Sequence, residues 1–62
     1  MNFAKLESRR VKIETISFSG GTPKVYEGTV DRVYYANEDI FVKLVEGTLI
    51  NCRYIRVIEL LD

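Results

Sequence analysis

Tyr34, Tyr35 and Asn37 lie within four positions of one another. Two aromatic rings beside an amide can stack a base and read its edge, which is how single-stranded RNA is commonly held. The plain alternative places one tyrosine in the core and the other in a contact between subunits. A second group is basic: the first twelve residues hold Lys5, Arg9, Arg10 and Lys12 against Glu7 alone, a local net charge of +3. Such a head could grip phosphates, or simply keep a short helix soluble. Arg53 and Arg56 form a smaller basic pair that could contact RNA or line a pore. They could equally pair across strands with acids such as Glu27 and Asp31.

Much chemistry is excluded. The chain has no histidine and one cysteine, Cys52. That rules out an internal disulfide, a Cys/His zinc site and any nucleophile activated by imidazole. Glu38 and Asp39 are adjacent carboxylates in a polar turn, and nothing in their surroundings separates their pKa values for acid and base roles. Gly20-Gly21-Thr22-Pro23 lacks the Lys-Ser/Thr of a phosphate loop. Cys52 has no activating partner and reads as packing. No catalytic residue, metal site or cofactor is therefore expected, and the chain does not read as an enzyme.

The elements that position these residues must fit into 62 residues, which leaves room for one domain, residues 1–62. Hydrophobic residues make up 47% and charged residues 29%, a globular mix, and nine cations balance nine anions. A neutral chain has no global field toward nucleic acid or membrane, so any attraction must come from a local patch. Uninterrupted apolar runs such as Val33 to Ala36 are too short for a signal core or a transmembrane helix. No membrane association is expected, and with its lone thiol the chain reads as cytoplasmic. A domain this small buries only about 60% of its unfolded surface. With neither disulfide nor metal to brace it, association with other copies is the expected source of further stability.

Phe3, Leu6 and Arg10 fall at helical spacing after a possible Asn2 cap, which predicts an N-terminal helix of at most two turns. Strand character follows. Val11, Ile13, Ile16 and Phe18 predict a first strand with a shift of parity between Ile13 and Ile16, ending at Ser19–Pro23. A longer strand from Val25 to Tyr35 changes its apolar face after Val30, implying a sharp bend that Gly28 would ease. Asn37-Glu38-Asp39 is a turn before a third strand containing Ile40, Val42 and Leu44, and Glu46-Gly47 a turn before a fourth, Leu49 to Asn51. Arg53 to Leu61 is the fifth, with Cys52 at the corner between the last two. Five short strands closely spaced by turns predict an all-β fold, a small and strongly bent barrel, because closure removes exposed edges.

This order, a short N-terminal α-helix followed by five bent strands, resembles the Sm-like family (Lsm- and Hfq-type proteins) of the SH3-like barrel class. Tyr26-Glu27-Gly28-Thr29-Val30-Asp31-Arg32-Val33 is similar to the first Sm motif. Ile50-Asn51-Cys52-Arg53-Tyr54-Ile55-Arg56-Val57-Ile58 is similar to the second. The resemblance implies a ring of five to seven subunits, with the fourth strand of each pairing with the fifth of the next. It also implies single-stranded RNA bound by the turn after the second strand and by the C-terminal corner. On that basis the RNA-binding set is Lys5, Arg9, Arg10, Tyr34, Tyr35, Asn37, Asn51 and Arg53. The chain departs from the family where it matters most: Asn37 matches the base-reading Asn only by a shifted alignment, and Asn51-Cys52 stands where the family has Arg-Gly. A standard uridine pocket is not implied. The alternative is an SH3-like module that binds a protein partner or builds an assembly, without nucleic acid.

Overall fold

Five stretches of alternating apolar and polar residues become five strands in a computed structural model that describes residues 3–16 and 22–62. They are β1 (Arg10–Thr15), β2 (Val25–Ala36), β3 (Asp39–Leu44), β4 (Leu49–Asn51) and β5 (Ile55–Leu60). Val11 and Ile13 of β1 are buried while Arg10 and Lys12 are exposed, the period of two that one covered face imposes. Val42 and Leu44 of β3 follow the same rule. All neighbouring strands are antiparallel, in the order β4-β3-β2-β1-β5. The Asn2 cap, Phe18 and the Ser19–Gly21 part of the first turn lie outside the described residues.

The change of face in β2 has a definite cause. Val30 pairs with Leu44 and Arg32 with Lys43, so Asp31 is an extra residue. A bulge of this kind reverses the parity that points inward and bends the strand. Val30 is buried before the bulge, and Val33 lies opposite buried Val42 after it. The first half of β2 pairs with β1 and the second half with β3, so the sheet coils about its longest strand. Gly28 is not what permits the bend: a Cβ there would sit 3.6 Å from Leu44 Cδ1, an ordinary contact. The parity shift predicted after Ile13 also appears, as a register change between Glu14 and Thr15 that leaves Arg56 of β5 unmatched.

Two expectations are corrected. The N-terminal segment is not an α-helix but a single 3-10 turn, Phe3–Leu6. Few residues are available to nucleate an α-helix, and the chain leaves the turn at Ser8 with φ of 70°. Ser8 then donates to the Val30 carbonyl at 2.8 Å, drawing the backbone onto β2 while Leu6 enters the core. The sheet, moreover, is not closed into a barrel. β4 and β5 are its two edges and do not pair, because a 3-10 turn, Cys52–Tyr54, takes up the chain after three residues of β4.

One core lies inside the bend. Leu6, Val11, Ile13, Val30, Val42, Leu44 and Ile50 are buried, with Phe3, Tyr26, Val33, Ile55 and Ile58 packed partly against them. Among the described residues no buried side-chain polar atom lacks a hydrogen-bond partner. Nor is any helix among them long and apolar enough to cross a membrane.

Candidate binding face on the second half of the sheet

The basic head is largely neutralised within the chain. Arg9 forms an ion pair with Asp62 at 2.9 Å, and Arg10 pairs with Glu27 at 3.2 Å. Hydrogen bonding to Arg9 holds the Asp62 carboxyl below its ordinary value, and the same contact raises the Arg9 guanidinium. Lys12 stands in register between Glu27 on β2 and Glu59 on β5. Lys5 is exposed on the 3-10 turn and carries no ion pair among the described residues.

Tyr34 and Tyr35 are consecutive strand residues, so they point to opposite sides of the sheet. Tyr35 is 72% exposed near the tip of the β2–β3 hairpin. Tyr34 lies on the outer face and stacks on Phe41, with centroids 5.7 Å apart and planes inclined by 24°. The two rings therefore form no common platform. Asn37 and Glu38 have φ of 50° and 67° between the paired residues Ala36 and Asp39. This is the positive backbone geometry that a two-residue type I′ hairpin requires, and it accounts for an Asn at the turn.

The corner residues also have structural partners. Asn51 Oδ1 accepts from the Arg53 N–H at 2.9 Å and caps the second 3-10 turn. Arg53 reaches across to Asp39 at 2.9 Å, tying the corner to the β2–β3 hairpin. Burial of the Cys52 thiol pushes its pKa up, the opposite of what a reactive cysteine needs.

What the fold does gather is the outer face of β2, β3 and β4. Tyr34, Phe41 and Asn51 form one cross-strand row, and Arg32, Lys43 and Leu49 form the next. Asp31, Arg32, Tyr34 and Lys43 line an open cleft of about 430 Å³ on this side. Neither Arg32 nor Lys43 forms an ion pair among the described residues, whereas Arg9, Arg10, Arg53 and Arg56 each have one. Sequence reasoning misses Arg32 and Lys43 because they are eleven positions apart and only the register shifted by Asp31 sets them opposite each other. The signal that could have found them is the odd-numbered position of Lys43 on a strand whose even positions are apolar.

No family model, curated protein or solved structure matches this chain.

Proposed function

We propose that the chain is an Sm-like assembly module that associates with copies of itself, the β4 edge of one subunit pairing with the β5 edge of the next. The observation that carries this reading is a sheet with two unpaired edges, each bearing exposed apolar residues: Leu49 on β4, Val57 and Leu60 on β5. Natural sheets usually guard their edges with charge or proline, and Leu49-Ile50-Asn51 has neither. Pairing between copies would complete the hydrogen-bonding ladder and enlarge a core that holds, among the described residues, seven buried side chains. The strand order, with a 3-10 corner before the last strand, is compatible with a barrel closed through such contacts. A cytoplasmic setting suits the single thiol.

Ion pairs on Arg9, Arg10 and Arg53 favour this assembly role over RNA binding through the basic head and the corner. Light scattering should give the mass of a closed ring of about five to seven copies. A single-subunit mass throughout the micromolar range overturns the reading. Val57→Asp should dissociate the ring, and because Val57 is half exposed in one chain, the circular dichroism of the sheet should persist.

A further inference from the structure

We infer that the outer face of β2, β3 and β4 docks an extended acidic segment of a partner protein, with a carboxylate on Arg32 and Lys43 and an apolar side chain on the Tyr34–Phe41 pair. This face is built from the side chains of one chain. It is distinct from the backbone edges of β4 and β5 and stands whether or not copies pair through them.

Charge complementarity sets the sign of the partner. Arg32 and Lys43 are direct cross-strand partners, and like charges set opposite each other destabilise a sheet. Among the described residues neither cation forms an ion pair, with Asp31 of the same cleft or with any other acid, while each of the other arginines has one. Asp39, one row beyond Phe41, is already held by Arg53 at 2.9 Å. A carboxylate from outside would relieve the repulsion that the fold leaves in place.

Apolar surface beside the cations points to a polypeptide. Tyr34 and Phe41 stack one row away, and Leu49, half exposed, completes the row of Arg32 and Lys43. A peptide can cover these groups with aliphatic or aromatic side chains. A strand of nucleic acid brings no aliphatic group to Leu49, and two cations on a chain of zero net charge give a polyanion few phosphate contacts. Spacing then fixes the pattern: rows on one face of a sheet repeat every second residue, roughly 7 Å, and so do same-side residues of an extended peptide. An apolar residue on the rings therefore carries the residue two positions on to the cations. Arg32, Lys43 and Tyr34 open onto one cleft of about 430 Å³, so a single segment can make both contacts.

The test is fluorescence anisotropy of short labelled peptides titrated with the whole chain. The first peptide repeats Phe-Ser-Glu-Ser, which sets ring and carboxylate on one side; a second has serine for each phenylalanine, and a third has lysine for each glutamate. The first should bind, and more weakly as salt rises. Arg32→Ala combined with Lys43→Ala should weaken it about tenfold or more, the loss of a charge-assisted contact. Tyr34→Ala should weaken the first peptide and leave the second unchanged, and Lys5→Ala should change neither. Arg32→Glu combined with Lys43→Glu should lose the first peptide and gain the third, a reversal that misfolding cannot produce. No binding of the first peptide at low salt overturns the proposal. So does equal binding of the lysine peptide by the wild-type chain. Labelled oligouridine bound more tightly through the same two cations also overturns it, in favour of a polynucleotide.

Discussion

Arg9 and Asp62 join the start of β1 to the end of the chain. Arg9 Nε donates to both carboxylate oxygens of Asp62 at 2.9 Å, and the N–H of Arg10 donates to the same group at 3.3 Å. A further backbone bond, Leu61 N–H to the Arg10 carbonyl at 2.9 Å, extends the β1–β5 ladder beyond its last strand pair. A residue that the sequence offers for phosphate contact thus serves to fasten β5.

The Asp62 carboxyl is held low in the folded chain by that hydrogen bond, so its contribution has a definite pH window. The contribution is fully present above the unfolded value of about 3.9 and disappears as pH falls through the lowered folded value. Asp62→Asn should remove this part of the acid sensitivity, seen as a flatter dependence of urea midpoint on pH in the acid range. An unchanged profile would show that the contact does not persist in solution.

Glu7 Oε2 accepts from the N–H of Val33 at 2.8 Å, two residues past the bulge. The carboxylate thereby fixes the point where β2 changes face. Glu7→Ala should lower stability by about 1 to 2 kcal/mol, the range of a charge-assisted bond with partial water replacement. Glu7→Gln, which keeps an acceptor, should recover much of the loss in denaturant titrations.

Glu38 holds φ of 67° without being glycine. That conformation costs an L-residue roughly 1 kcal/mol, and Asn-Gly is the preferred pair for this turn. Glu38→Gly should therefore raise the urea midpoint. A lower midpoint would mean that the Glu38 side chain makes a compensating contact.

Cys52 should react slowly with thiol reagents at neutral pH, since burial disfavours its thiolate. Adding urea should restore the rate of an unstructured cysteine. Rapid modification of the native chain would indicate that the second 3-10 turn opens readily.

The fold is legible in the sequence wherever local pattern suffices. Val11 and Ile13, or Val42 and Leu44, alternate because one side of each strand meets the core, and Asn37-Glu38 breaks the alternation where the hairpin turns. The N-terminal segment was less legible, because Phe3 and Leu6 suit an α-helix and a 3-10 turn equally well. Ser8 bonding to Val30 decides between them. The candidate site was hardly legible at all. Arg9, Arg10 and Arg53 look free along the chain, yet Asp62, Glu27 and Asp39 reach them from distant elements.

Residue order alone determined that strands form, which faces are apolar and where the chain turns, since these follow from spacing over a few residues. Only the tertiary structure decided which charges remain uncompensated. One extra residue at Asp31 shifts the ladder so that Arg32 faces Lys43. Long-range pairing, which no local period encodes, sets the electrostatics of this surface.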